Sequence, residues 1–126
     1  MNNILKTIIL LVTITLLNAC SNIDIARFKA LGETSFDKNT WLVSNEQQRG
    51  EMFFDFLQSN SPITNKKAKF VFDSLGPSTG YYLYDHFPAY YIGPKPANNN
   101  AKAYLVAFEV DHDSGEIKDI YVHPNL

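Results

Sequence analysis

Residues 102–122, KAYLVAFEVDHDSGEIKDIYV, decide the fold class of this chain. The runs Lys102–Val110 and Ile117–Val122 are rich in residues that favour β-strands. Between them, Asp113-Ser114-Gly115 predicts a tight turn with glycine at a left-handed position. The stretch therefore predicts an antiparallel β-hairpin.

Two further aromatic segments precede this hairpin. Tyr81–Tyr84 and Ala89–Ile92 both have high strand propensity. Pro88 lies between them and marks a bend, a bulge or a sheet edge, because proline cannot donate to a β-ladder. Taken in order, these segments predict a three- or four-stranded antiparallel meander.

Residues 45–58 and 65–75 carry the apolar spacing of amphipathic helices. Ser44 and Gln47 stand in register for a capping box before the first helix, and Gly76-Pro77 ends the second. Two amphipathic helices need a surface against which to bury their apolar faces. The expected class is α+β, with two N-terminal helices packed on one face of the meander as a two-layer sandwich.

The first residues have the pattern of an export signal. Met1–Lys6 is short and carries one lysine, and the apolar run Thr7–Leu17 is shorter than the ~20 residues of a membrane span. Leu17-Asn18-Ala19 directly precede Cys20, the only cysteine, and so resemble a bacterial lipoprotein signal. That resemblance implies cleavage before Cys20 and its modification with fatty acyl chains, palmitate among them. A plain signal peptide with an incidental cysteine is the alternative.

The lipoprotein interpretation predicts a domain organisation and a location. It assigns residues 1–19 to a signal peptide, 20–40 to a lipid anchor and tether, and 41–126 to a folded domain. Ser21 follows the cysteine where aspartate would favour the inner membrane. We therefore expect a protein of the cell envelope, held on the outer membrane through lipid on Cys20 and facing the periplasm.

Short motifs between residue 36 and about residue 122 carry a further resemblance. They are Phe36-Asp37, Trp41, Arg49-Gly50, Met52, Asp55, Leu57, Leu75-Gly76-Pro77, Tyr90-Tyr91-Ile92-Gly93-Pro94, Leu105-Val106-Ala107-Phe108 and Gly115-Glu116-Ile117. The chain resembles an uncharacterised family of small bacterial domains similar in layout to the SmpA/OmlA outer-membrane assembly lipoproteins. The resemblance implies a membrane-anchored, non-catalytic module that binds or scaffolds proteins in the envelope. The β-lactamase-inhibitory protein fold uses similar units, so an inhibitor or immunity lipoprotein that blocks a toxin or enzyme is the alternative.

Charge and aromatic content indicate what such a module could bind. The net charge of −2 gives no reason to expect a nucleic acid partner. Lys66, Lys67 and Lys69 crowd the start of the second helix, where they form either a solvated face or a basic patch for an acidic partner or lipid phosphates. Tyr82 and Tyr91 are expected to point away from the helices, as a protein-binding surface or a stiffening aromatic ladder.

Candidate reactive groups have simpler structural explanations. Gly76-Pro77-Ser78-Thr79-Gly80 matches the G-x-S-x-G pattern, but it follows a helix, whereas a nucleophile elbow follows a strand. Asp111-His112-Asp113 and Glu116 suit a hairpin turn, and no spacing makes His86, His112 and His123 converge into a zinc site. The sequence therefore predicts no catalytic residues, no cofactor and no metal.

Overall fold

The computed structural model describes residues 23–97 and 100–126. In chain order, its elements are a 3₁₀ helix Ala26–Leu31, α1 Lys38–Val43, α2 Glu46–Ser59, a 3₁₀ helix Ile63–Asn65, α3 Ala68–Leu75, β1 Ala89–Ile92, β2 Tyr104–Val110 and β3 Ile117–His123. The strands form an antiparallel sheet in the order β1-β2-β3. The predicted α+β class and a sheet of three strands are confirmed.

The predicted strand Tyr81–Tyr84 is wrong, because this segment is an irregular loop. The Tyr84 N–H donates to the Tyr82 carbonyl at 2.7 Å, which closes a tight turn. Leu83 at its centre has a φ of 60°, a left-handed conformation incompatible with a strand. Of its aromatic side chains, Tyr82 packs on the sheet through the ring of Tyr121.

The tether assigned to residues 20–40 is too long. The described residues also contain one α-helix more than the two that were predicted. Phe28 and Leu31, on the first 3₁₀ helix, are buried in the hydrophobic core. Residues 38–43 form the additional helix α1, which Asp37 caps by accepting the Thr40 N–H at 2.8 Å. That hydrogen bond lowers the pKa of Asp37 below its ordinary value. The folded domain therefore begins well before residue 41.

The N-cap of helix α2 lies one residue later than predicted. Asn45, not Ser44, occupies the N-cap, and its side chain accepts the Gln48 N–H at 2.9 Å. The Gln48 side chain accepts the Asn45 N–H at 3.0 Å in return. A capping box is thus present, shifted by one residue, because asparagine is as good a cap as serine.

One face of the sheet packs into the core. Tyr90, Val106 and Val122 are paired across the three strands, and all are buried. The Tyr90 ring lies 6.2 Å from that of Trp41 on α1, edge to face. On β2, the Phe108 ring lies 6.1 Å from that of Phe53 on α2.

Both outer strands have edge groups that are already bonded. At β1, the Ala89 carbonyl accepts the N–H groups of Thr79 and Gly80 at 3.0 and 3.1 Å. The Tyr91 N–H donates to Thr79 Oγ1 at 2.9 Å. At β3, the Ile117 N–H donates to the Lys66 carbonyl at 3.0 Å, and Arg27 Nη2 donates to the Ile120 carbonyl at 3.0 Å. Covered edges of this kind oppose strand addition by another chain.

Within the described ranges, no helix combines the length and the apolar content that crossing a bilayer would take.

Candidate binding surface

Several residues of the resemblance motifs meet around Trp41. The Trp41 indole Nε1 donates to the Leu75 carbonyl at 2.9 Å. Arg49 Nε donates to the Trp41 carbonyl at 3.0 Å, with its guanidinium carbon 4.9 Å from the centre of the indole ring. The Tyr90 hydroxyl donates to the Gly76 carbonyl at 2.7 Å. These motif residues therefore join α1, the end of α3 and β1, which is a structural role.

The Tyr90 phenol makes stability depend on alkaline pH. Burial raises the pKa of Tyr90, although the nearby Arg49 charge acts in the opposite direction. A free phenol loses its proton near pH 10, so at higher pH the unfolded chain ionises before the folded one. The stabilisation is complete below about pH 10 and is lost as pH rises through the folded-state pKa.

We expect Tyr90→Phe to flatten this alkaline decline. At neutral pH the variant should lose about 1 kcal/mol, because the hydrogen bond to Gly76 is removed. Above about pH 10 its free energy of unfolding should fall less steeply than that of the parent. Urea denaturation at a series of pH values measures both slopes, and equal slopes would show that the Tyr90 phenol is not responsible.

The other face of the sheet carries the aromatic side chains that the core does not use. Tyr91 pairs with Leu105 and Tyr121 with Ala107, so both tyrosines lie on the face opposite Tyr90. The loop before β1 adds Tyr82, whose ring stacks on that of Tyr121 with centroids 4.0 Å apart and planes 9° apart. Tyr82 is thus half-buried. The predicted strand would instead have left its side chain pointing freely into solvent.

We call this surface the aromatic face. It comprises Tyr81, Tyr82, Leu83, Tyr84, Tyr91 and Tyr121. Tyr81 is 60% exposed, Leu83 58%, Tyr84 47% and Tyr91 39%. Four large side chains are therefore exposed on β1 and on the loop that precedes it.

At the centre of the aromatic face, the surroundings of Tyr82 change the pKa of its phenol. The pKa of Tyr82 is raised, first by desolvation and then by the negative charge of the nearby Glu109. The phenol is therefore held in its neutral form. Tyr82 offers a partner an uncharged ring that is already fixed in place by Tyr121.

The loop that presents these residues is fixed at both ends. Ser78 Oγ accepts the Ala89 N–H at 2.9 Å. Phe87 is buried, and the adjacent Pro88 carbonyl accepts the Phe108 N–H of β2 at 2.8 Å. Between these points the backbone adopts the strained conformation of Leu83. Ser78, the serine of the G-x-S-x-G pattern, thus holds the edge of β1.

The three predicted lysines differ in their surroundings. The Lys66 ammonium lies 4.9 Å from the centre of the Phe70 ring. Lys67 is bridged through its backbone to Glu116. Lys69 forms an exposed ion pair with Asp73 at 2.6 Å. Contacts of the ammonium group are thus described for Lys66 and Lys69, and no described contact joins any of the three lysines to Tyr82 or Tyr91.

The acidic hairpin acts as a turn. The Asp111 carboxylate accepts the N–H groups of Asp113 and Ser114 at 3.0 and 2.9 Å. These bonds, that from Ser114 first, lower the pKa of Asp111. Gly115 has a φ of 75°, as the sequence predicted for this turn. In the described residues, no group of three or more histidine, cysteine or acidic side chains is placed to hold a metal ion.

A shallow groove of about 390 Å³ adjoins the aromatic face at Tyr91. Glu46, Lys102 and two alanines, Ala101 and Ala103, complete its lining. It offers one acidic and one basic side chain beside an exposed phenol. This combination suits polar contacts around an aromatic anchor.

Sequence reasoning found Tyr82 and Tyr91 but missed Tyr121, Leu83 and the contact between Tyr82 and Tyr121. The alternation of β3 was sufficient to place Tyr121 on the outward face, because Ile120 and Val122 are its apolar neighbours. The contact with Tyr82 had no local signal, since it depends on a loop that folds back. Cys20, the predicted lipid attachment site, lies outside the described residues.

No protein-family model matches this chain, and no curated protein or solved structure shows significant similarity to it. The resemblance to the SmpA/OmlA group therefore stays a prediction.

Proposed function

We propose that this chain is a membrane-anchored, non-catalytic lipoprotein that binds or scaffolds proteins in the bacterial cell envelope. In this proposal Cys20 carries the lipid, and the domain faces the periplasm from the outer membrane, as in the SmpA/OmlA group. The observation that carries the proposal is the aromatic face. Tyrosines are enriched at protein interfaces, because they bury a large area at a low cost in conformational entropy.

The proposal includes a two-layer arrangement, with the helices on one face of the sheet. The contacts of Trp41 with Tyr90 and of Phe53 with Phe108 support it, because all four rings are buried on the same side. The opposite face then remains for the loop before β1 and its aromatic side chains. One side of the sheet stabilises the domain and the other side is available to a partner.

The bonded strand edges favour side-chain recognition over strand addition. Because Thr79 and Gly80 occupy the backbone groups of Ala89, a partner strand cannot pair there without displacing them. The exposed groups of the aromatic face need no such rearrangement. We therefore place the partner against Tyr81, Leu83 and Tyr84, with Tyr91 beside them.

A crosslinking pulldown from envelopes of the source bacterium tests this function. The tethered wild-type protein is expected to recover barrel-assembly components. Tyr81→Ala, Leu83→Ala and Tyr84→Ala combined should lower that recovery about tenfold or more, as expected for the loss of interface hot spots. All three side chains are exposed, so their removal should leave the core intact.

Matched controls separate the surface from the anchor. Leu42→Ala with Val43→Ala removes two exposed apolar side chains from α1 and should leave recovery unchanged. Cys20→Ser should release the protein from the membrane fraction. Recovery of a single soluble enzyme would instead favour the inhibitor or immunity alternative. A triple variant that recovers the same components as the wild type would refute binding through the aromatic face.

A further inference from the structure

Two histidines from distant parts of the chain meet beside the aromatic face. His86 Nε2 lies 2.9 Å from His112 Nδ1, although 26 positions separate the two residues. Both side chains are exposed. Their ring centroids are 4.8 Å apart, with the planes at 61°. In the neutral pair, one ring donates its N–H and the other accepts with its lone pair.

The surrounding residues hold both rings in place. The buried Phe87 ring lies 5.0 Å from the His86 ring and 5.8 Å from the His112 ring. The Tyr84 ring packs edge to face on His112 at 4.8 Å. His112 follows Asp111, whose N–H donates to the Glu116 carbonyl at 2.8 Å across the hairpin. The two imidazoles are thus brought together by the fold before any ligand binds.

We propose that His86 and His112 form a two-histidine site for a divalent transition-metal ion, with Cu²⁺ as the best fit. Histidine nitrogens bind such ions at about 2.0–2.1 Å. Two ligands at right angles around the ion are then about 2.9 Å apart, whereas tetrahedral ligands are about 3.3–3.4 Å apart. The observed 2.9 Å therefore matches adjacent positions of the square-planar geometry that Cu²⁺ prefers.

Binding requires a change of tautomer and a rotation of both rings. The ring whose proton lies between the two nitrogens takes that proton on its other nitrogen, and both lone pairs then turn from the line that joins the nitrogens toward an ion beside it. Neither ring gives up its net proton. Because His86 and His112 supply only two ligands, the other coordination positions are open to water or to a ligand from a partner molecule.

Copper titration of the full chain tests the site. The parent carries Cys20→Ser, because a thiol is itself a copper ligand. With Cu²⁺ alone as the probe, we expect one bound ion whose electron paramagnetic resonance spectrum shows coupling to imidazole nitrogens. His86→Gln and His112→Gln should each weaken binding by at least about tenfold, since even the loss of an outer-shell partner has effects of this size.

His123→Gln is the matched control, because His123 is the third histidine of the chain and is also exposed. It should bind Cu²⁺ as the parent does and show the same nitrogen coupling. Glutamine preserves a polar side chain at each position, and circular dichroism verifies that the variants are folded. Unchanged binding in both His86→Gln and His112→Gln, or an equal loss in His123→Gln, would overturn the proposal.

Discussion

Trp41→Ala is expected to lower the free energy of unfolding by about 3–5 kcal/mol, the usual cost of removing a buried tryptophan. Trp41 is fully buried and contacts the rings of Phe36, Phe53 and Tyr90. Its removal leaves a cavity between α1 and the sheet. It also leaves the Leu75 carbonyl without its donor, which adds to the cost. A domain of this size is stable by only about 5–15 kcal/mol.

Urea denaturation measures this loss, and a neighbouring position supplies the control. Val43→Ala lies on the same helix, but Val43 is 86% exposed. It should change stability by less than about 0.5 kcal/mol. If Trp41→Ala cost less than about 1 kcal/mol, then α1 would not be packed as the structure shows.

Gly50→Ala is expected to destabilise the domain by about 2 kcal/mol or more, although alanine is the better helix former. Inside a helix, alanine is favoured over glycine by about 1 kcal/mol. Here, however, an added Cβ would overlap the Gly93 carbonyl oxygen and lie 2.7 Å from the carbonyl carbon. Gly93 cannot easily retreat, because its N–H donates to the Glu46 carbonyl at 2.6 Å. The steric clash therefore outweighs the helix propensity.

Gly115→Ala is the matched control for this prediction. An added Cβ there meets nothing within 4 Å, and the only cost is the positive φ of 75°. That strain amounts to about 1–2 kcal/mol. Thermal or urea unfolding of both variants compares the cost of a steric clash at residue 50 with the cost of a positive φ at residue 115. A Gly50→Ala variant as stable as the parent would contradict the close approach of α2 to the end of β1.

Local patterns in the sequence predicted most of the regular elements, although the helix expected at 65–75 begins only at Ala68. Residues 45–58 became α2 at 46–59, and Ala89–Ile92 became β1 with unchanged bounds. These segments carry their own signal, because apolar spacing and strand-forming composition act over a few neighbouring residues. The C-terminal hairpin followed for the same reason, with Gly115 in the turn.

The errors arose where distant residues decide the structure. Tyr81–Tyr84 have a strand composition, but strand propensity measures fit to a half-buried surface. Here the ring of Tyr121 supplies that surface in place of a neighbouring strand. The first 3₁₀ helix has only two buried anchors, Phe28 and Leu31, which are too few to form a period. Asp37 was a readable cap signal for α1 that the sequence reasoning did not use.

The candidate site was predictable only in part. The alternation of β1 placed Tyr90 inward and Tyr91 outward, as the structure shows. The proximity of His86 and His112 could not be predicted, because it depends on a loop and a hairpin from different parts of the chain. The neighbours of Lys66 and Lys69 are by contrast local, because Phe70 and Asp73 each lie four residues further along the chain.

The packing of the first 3₁₀ helix against β3 fixes where the chain leaves the folded domain in the direction of residue 20. Ile23 already packs against the core, and Arg27 is bonded to β3. If Cys20 bears the lipid, as proposed, a fully extended backbone spans at most about 11 Å from there to Ile23. So short a link would hold the folded domain close to the bilayer.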